Sequence, residues 1–149
     1  MKKISIVIGL IFLFSIQLSA QADKVIGFWL TDEGESQVEI FKKSNGKYYG
    51  KIVWLEEPNE NGKPKVDDDN PVVSLQNRPI LGLELLKGFS YDSEDKEWEN
   101  GTIYDPDSGK TYDCYMWFEG SNNLKIKGYV MGMRFIGRKT TWTRDRKRQ

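Results

Sequence analysis

Short runs of aromatic and β-branched residues, separated by clusters of turn-forming residues, are the feature that most restricts how this chain can fold. Runs of this kind, bounded by Gly, Asn, Asp, Pro and Ser, are typical of an all-β domain. No long amphipathic helical pattern interrupts them. We predict strands at Val25–Thr31, Ser36–Lys42, Lys47–Leu55, Ile80–Tyr91, Lys96–Tyr104, Lys110–Phe118, Asn123–Met131 and Met133–Thr143.

The connections between these runs predict that neighbouring strands are antiparallel, because several are short enough for hairpins. About eight such strands favour a single antiparallel up-and-down β-barrel, in which closure removes the exposed strand edges. A β-sandwich is the alternative. Two segments fit the pattern less well: residues 56–71 form a long polar connection, and residues 77–81 predict a brief helix or loop.

The amino terminus has the order of a secretory signal peptide. Two lysines precede the apolar run Ile4–Ile16, and small residues follow it. The run is shorter than the roughly 20 apolar residues that a transmembrane helix needs. We therefore predict a signal peptide over residues 1–20, with cleavage after Ala20 or Ala22. After the signal peptide we predict a β-barrel domain over residues 21–143 and a solvated basic tail over residues 144–149. The mature protein is expected to be exported, periplasmic or secreted, without a transmembrane segment.

Charge and rare residues exclude several classes of function. The chain has 22 basic and 22 acidic residues, no histidine and one cysteine, Cys114. This balance gives no electrostatic footprint for nucleic acid. The lack of histidine excludes histidine triads and histidine zinc sites, and we expect no cofactor and no metal. No pair of acids is singled out by spacing, so we expect no enzymatic activity, with a carboxylate-based envelope hydrolase as the alternative.

Two acidic segments have a structural explanation beside a functional one. In the segment Asp105–Gly109, proline presets its own φ, aspartate bonds nearby backbone, and glycine accepts a positive φ. Asp105, Pro106 and Gly109 are therefore predicted to form a turn. The acidic cluster Asp67–Asp69 predicts a solvated loop, with a calcium site as the alternative.

The first and last strands resemble the signature of lipocalin-like (calycin) barrels. Gly27 and Trp29 form a Gly-x-Trp on the first strand, and arginines occur near the end of the last strand. The resemblance implies an arginine that packs over the tryptophan and closes the base of the barrel, since a guanidinium stacks well on an indole. Trp29 would be that indole, with Arg138 or Arg144 as its partner.

A second resemblance covers nearly the whole mature chain. The motifs that carry it are Gly27-Phe28-Trp29, GKIVWL at residues 50–55, DDDNP at 67–71, RPILGL at 78–83, GTIYDPDSGKTY at 101–112 and GRKTTWTR at 137–144. Together they resemble the bacterial family of domain of unknown function 2147. Membership implies a small exported bacterial β protein and supplies no activity.

A barrel of about eight strands is either filled by side chains or holds one small ligand. Tyr48, Trp54, Tyr112 and Trp142 are the aromatic candidates for its interior and for ligand binding. We therefore predict a small binding or accessory protein of the cell envelope, with a small apolar ligand in the barrel. A protein–protein interaction module that binds an envelope protein is the alternative beside the hydrolase.

Overall fold

The computed structural model describes residues 19–149, so the apolar run of the predicted signal peptide lies outside the described residues. Eight strands close into one antiparallel barrel. They are β1 (Gly27–Leu30), β2 (Ser36–Lys42), β3 (Tyr48–Leu55), β6 (Glu84–Asp92), β7 (Glu97–Asp105), β8 (Lys110–Glu119), β9 (Asn123–Val130) and β10 (Met133–Asp145). The barrel prediction is confirmed, and the sandwich alternative is wrong.

The strands follow one another around the barrel in chain order, and the barrel closes where β1 pairs with β10. Phe28 lies opposite Asp145 in that pairing, and Leu30 lies opposite Thr143. A short hairpin of β4 (Asn59–Glu60) and β5 (Lys63–Pro64) stands apart within the connection from β3 to β6. In the described part of the chain, no helix has the length and apolar character needed to cross a membrane.

The two ends of the barrel differ. The turns β2–β3, β6–β7 and β8–β9 lie at one end, together with a 3-10 helix at Asp23–Val25; we call this the closed end. The turns β1–β2, β7–β8 and β9–β10 lie at the other, which we call the open end. Large side chains fill the interior towards the closed end, where Trp29, Phe89, Trp98 and Leu124 are fully buried. This core replaces the disulfides that a domain with one cysteine cannot make.

Arg144 and Trp29 join the last strand to the first at the closed end. The Arg144 guanidinium lies over the Trp29 indole, 4.3 Å from the ring centre. Its nitrogens donate to the carbonyls of Lys24 at 2.6 Å and of Ile26 at 3.3 Å. The Trp29 indole nitrogen donates to the Val25 carbonyl at 2.9 Å. The same two side chains therefore connect both terminal strands and hold the 3-10 helix beneath the barrel.

Two further hydrogen bonds fix the amino-terminal segment to the closed end. The Trp98 indole nitrogen donates to the Ala22 carbonyl at 3.0 Å, and Ala22 is buried. The Tyr48 hydroxyl donates to the Asp23 carboxylate at 2.6 Å. Burial and the neighbouring Asp23 charge raise the pKa of Tyr48 well above its usual range, so its hydroxyl remains a donor at ordinary pH. Residues 22–25 therefore belong to the folded domain.

β10 is longer than predicted, and the residues after it contact the barrel. β10 continues to Asp145, two residues past the predicted boundary. The buried Gln37 side chain donates to the Asp145 carboxylate at 3.0 Å and to the Arg146 carbonyl at 2.8 Å. The Arg148 guanidinium lies 4.6 Å from the centre of the Trp54 ring. Residues 146–149 are exposed, and within them Arg146 and Arg148 contact residues of β2 and β3.

The connection between β3 and β6 also differs from the prediction. A 3-10 helix forms at Val73–Leu75, before the predicted position, and β6 begins at Glu84. The Gly82 amide donates to the Ile52 carbonyl at 2.8 Å, and the Ile52 amide donates to the Leu83 carbonyl at 2.9 Å. These bonds turn the chain onto β3, so the apolar residues at 80–83 pack as a turn.

We expect Arg144→Met to lower the free energy of unfolding by about 1–3 kcal/mol, because it removes the stacking on Trp29 and two hydrogen bonds. Urea denaturation followed by tryptophan fluorescence measures this change. The matched control is Arg138→Met on the same strand, which should change stability by less than about 0.5 kcal/mol. Equal losses in the two variants would contradict the assignment of Arg144 to barrel closure.

Candidate functional site

The open end of the barrel contains a cavity of about 540 Å³. Its walls come from the inner faces of β6 to β10, and its rim comes from the β1–β2, β7–β8 and β9–β10 turns. The residues that line its wall include Leu85, Ile103, Tyr104, Tyr112, Ile126 and Thr140. The cavity is therefore apolar in its depth, with hydroxyl groups at a few positions.

Gly128 leaves room for the cavity. It lies opposite Cys114 on β8 and opposite Arg138 on β10, in a row of three directly paired residues. Cys114 is fully buried, so the row faces the interior. A Cβ placed on Gly128 would lie 3.5 Å from both Ile103 and Tyr112, which is ordinary contact. A larger side chain at this position would therefore project into the cavity without a clash at its base.

The rim is polar. Thr31, Asp32 and Glu33 line it from the β1–β2 turn, and Asp105 and Pro106 line it from the β7–β8 turn. The Asp105 carboxylate accepts hydrogen bonds within its own turn, from the Ser108 hydroxyl at 2.6 Å and the Asp107 amide at 3.2 Å. Its contacts are those of a turn-forming aspartate. The acids that line the site thus belong to the rim turns.

A buried polar cluster holds the β3–β6 connection against the barrel wall; we call its members Asp67, Asn70, Arg78 and Tyr104 the Asp67 cluster. The Asp67 carboxylate accepts from the Tyr104 hydroxyl at 2.6 Å and from Asn70 at 2.7 Å. The Arg78 guanidinium donates to it through two nitrogens, at 2.7 and 2.6 Å. Since Tyr104 also lines the cavity, this cluster connects the loop to the site.

The neighbouring turn fits closely against the same connection. Gly109 has φ of +65°, and a Cβ on it would lie 2.0 Å from the Asp69 carbonyl oxygen. Only glycine allows both this conformation and this approach. The turn residues Asp105, Pro106 and Gly109 are therefore placed in the β7–β8 turn, where the acidic segment packs on them.

Hydrogen bonding determines the charge state of Asp67. Burial alone would raise the pKa of this carboxyl, but bonds from Tyr104, Asn70 and Arg78 outweigh burial and hold the pKa below its usual range. Burial and the same carboxylate raise the pKa of Tyr104. Asp67 is thus ionised and fully engaged by protein donors, which argues against the calcium alternative. Within residues 19–149, no group of three or more metal-ligating side chains occurs.

The structure separates the four aromatic residues that were predicted as ligand-binding. Tyr112 lines the cavity. Tyr48 and Trp142 are buried in the core towards the closed end. Trp54 lies on the outer face, because one extra residue in β3 places Trp54 opposite Gln37 and reverses the alternation beyond Ile52. Of the four, Tyr112 alone is brought to the cavity.

Arg138, predicted as a candidate partner of Trp29, lines the cavity instead. Cys114 is fully buried, and this burial raises the pKa of its thiol well above the usual range. Sequence reasoning missed Leu85, Ile103 and Gly128 as site residues. The alternation of side chains along a strand predicts which residues share a face with Ile103, Gly128 and Tyr112. It does not predict which end of the barrel is open, so it could not identify these residues as lining a cavity.

Comparisons with known proteins agree with this architecture. The sequence profile of a bacterial family described as "Uncharacterized protein conserved in bacteria (DUF2147)" matches residues 27–144. Protein HP1028 from the human pathogen Helicobacter pylori, described as belonging to the lipocalin family, superposes with a TM-score of 0.68. The two are 25% identical, over 81% of this chain and 82% of that chain. No curated protein matches this chain.

We expect Asp67→Asn to lower the free energy of unfolding at neutral pH by about 2–3 kcal/mol, because it leaves Arg78 without its buried counter-charge. The pKa of Asp67 is lower in the folded protein than in the unfolded chain, where it lies near the ordinary value of about 3.9. Ionised Asp67 therefore stabilises the fold above about pH 3.9, and this stabilisation is lost as the pH falls through the lower folded-state pKa. Urea denaturation between neutral pH and pH about 3 measures both effects.

The matched control is Asp68→Asn, which changes the exposed neighbour of Asp67. It should leave both the stability and its acid dependence close to those of the unchanged protein. An Asp67→Asn variant as stable as the control would mean that the Asp67 cluster does not hold the connection.

Proposed function

The chain belongs to the bacterial family DUF2147, and from the geometry of its barrel we propose that it is a small-ligand-binding protein whose site is the open-end cavity. The observation that carries this proposal is the cavity itself. Its volume of about 540 Å³ lies in the range of roughly 300–1,000 Å³ that is typical of small-molecule sites. Its inner wall is apolar, so the bound molecule is largely apolar.

The fold supports the same proposal. An eight-stranded barrel of this size can hold one small ligand, as the lipocalins do. The similar protein HP1028 is described as a lipocalin, which is a statement about that protein. The closed end fixes the strands rigidly beneath the cavity, and the Asp67 cluster fixes one wall from outside. A site built on rigid strands in this way is formed before its ligand arrives.

The two alternative functions have less support. An interaction module predicts an apolar surface patch and a filled interior. The β9–β10 hairpin exposes Val130, Met131, Phe135 and Ile136, but the barrel has an open cavity. A carboxylate-based hydrolase needs two acids that face each other across a cleft. The acids at this cavity lie in the rim turns, and Asp105 is bonded within its own turn.

We further propose that the protein is exported and acts in the cell envelope, with cleavage after Ala20. The order of charged, apolar and small residues at the amino terminus supports export. The contacts of Ala22 support the cleavage position. Its carbonyl accepts the hydrogen bond from the buried Trp98 indole, and cleavage after Ala22 would remove that acceptor. Cleavage after Ala20 retains it.

We expect the purified protein to bind the uncharged probe N-phenylnaphthylamine with one saturable site per chain, seen as increased probe fluorescence. Gly128→Leu should weaken this binding at least about tenfold, because the added side chain occupies the cavity. Native mass spectrometry of protein from its own envelope fraction should show an extra small-molecule mass that Gly128→Leu lacks.

The matched control for the cavity variant is Lys127→Leu, which adds the same side chain at the next position, on the outer face of β9. Its probe binding should equal that of the unchanged protein. Circular dichroism and thermal unfolding should show that both variants are folded. Equal binding by the two variants would overturn the proposed function.

We expect the mature protein to begin at Gln21, because that terminus retains the Ala22 carbonyl for Trp98. Intact-mass measurement and amino-terminal sequencing of the exported protein determine the first residue. A mature chain that begins at Asp23 would contradict the proposed cleavage position, and an unprocessed chain that begins at Met1 would contradict the signal peptide.

A further inference from the structure

Arg138 is a cation on the interior face of the barrel. Directly opposite residues of antiparallel strands share a face. On β10, Trp142 lies opposite the buried Leu124, Thr140 opposite the buried Ile126, and Arg138 opposite Gly128. Trp142, Thr140 and Arg138 therefore form one inward row, which runs from the core to the mouth of the cavity. Because Gly128 has no side chain, the space beside Arg138 is open.

Arg138 differs from the other arginines of β10 in its partners. Arg134 pairs with Glu97 on the outer face, and Arg144 donates to backbone carbonyls at the closed end. Within residues 19–149, Arg138 takes part in no ion pair. Arg138 is exposed at the mouth of the cavity, where its guanidinium has no protein carboxylate as a partner.

The other charges of the mouth do not supply this counter-charge. The Asp105 carboxylate is bonded within its own turn. Asp32 and Glu33 lie on the exposed β1–β2 turn, and neither forms an ion pair with Arg138. Lys139 lies opposite Lys127 in the row next to Arg138. It also borders the cavity and is a second cation, so it supplies no counter-charge.

The row on β10 predicts the polarity of the molecule that fits the cavity. The deep part of the cavity is apolar at Ile126 and Ile103. The Thr140 hydroxyl lies halfway along the cavity, and the Arg138 guanidinium lies at its mouth. A guanidinium presents paired donors that match two oxygens of a carboxylate or a phosphate. A molecule with an apolar body and an anionic head satisfies both parts at once.

We propose that the cavity takes an anionic amphiphile, with its apolar body among Ile103 and Ile126 and its head group on Arg138. This inference rests on the ligand-binding function proposed above and names the chemical class of the ligand. The head group is an oxyanion, carried by an alkyl carboxylate or an alkyl phosphate.

A pair of probes that differ only in the head group tests this inference. Dansyl-labelled undecanoic acid and its methyl ester share the fluorophore and the chain, and only the acid is charged. The unchanged protein should bind the acid about tenfold more tightly than the ester. Added salt should reduce that preference, because the mouth is open to solvent. Competition by dodecanoate and by dodecyl phosphate then distinguishes carboxylate from phosphate head groups.

Substitutions at Arg138 assign the preference to one side chain. Arg138→Gln should bind the acid about as weakly as the ester, with its affinity for the ester unchanged. Arg138→Lys keeps the charge but not the paired donors, and should retain part of the preference. The matched control is Lys127→Gln, which removes one positive charge from the outer face of the neighbouring strand and should behave as the unchanged protein. Thermal unfolding should show all three variants to be folded.

The outcomes separate this inference from the function on which it rests. Equal affinities of the unchanged protein for acid and ester would overturn the anionic head group and leave ligand binding in place. A preference for the acid that survives in Arg138→Gln would overturn the role of Arg138. Failure to bind either probe, together with failure to bind N-phenylnaphthylamine, would overturn both.

Discussion

The stacking of Arg144 on Trp29 is the interaction on which the rest of the barrel depends. It lies where the first and last strands meet, and its hydrogen bonds to Lys24 and Ile26 draw the amino-terminal segment beneath the barrel. A barrel without this seam would expose two strand edges and the aromatic core. Because the closed end is solid, the open end can remain hollow without loss of the fold.

The hollow end has its own support, which is polar. The Asp67 cluster fastens a long connection to the barrel through a buried carboxylate, and the β7–β8 turn packs on that connection at Gly109. Three sequence motifs of this chain thus have a physical explanation as the two sides of one contact. DDDNP and RPILGL supply the carboxylate and its guanidinium, and YDPDSG supplies the tyrosine and the glycine. These contacts support one wall of the barrel, and Tyr104, Asp105 and Pro106 of the last motif also border the cavity.

The sequence predicted the positions of the strands, which depend on local patterns of residues. All eight barrel strands were expected within a few residues of their positions, because alternation and turn chemistry are encoded locally. The choice between barrel and sandwich depends on the pairing of β1 with β10, which no local pattern contains. Arg138 and Arg144 occupy the same inward row, so alternation could not separate them. Trp54 was misplaced because one extra residue in β3 reverses the alternation, and Tyr48 and Trp142 face inward at the level of the core.

The position of the closing seam also bears on how the protein reaches its fold. Phe28 and Asp145 are opposite each other in the β1–β10 pairing, although nearly the whole domain separates them in sequence. Every other pair of neighbouring barrel strands is adjacent in the chain apart from the β3–β6 connection. The hairpins can therefore form early, whereas closure carries the entropy cost of the longest loop. A chain from which β10 is still missing has no partner for β1 and leaves Trp29 uncovered, so the last strand converts an open curved sheet into a stable domain.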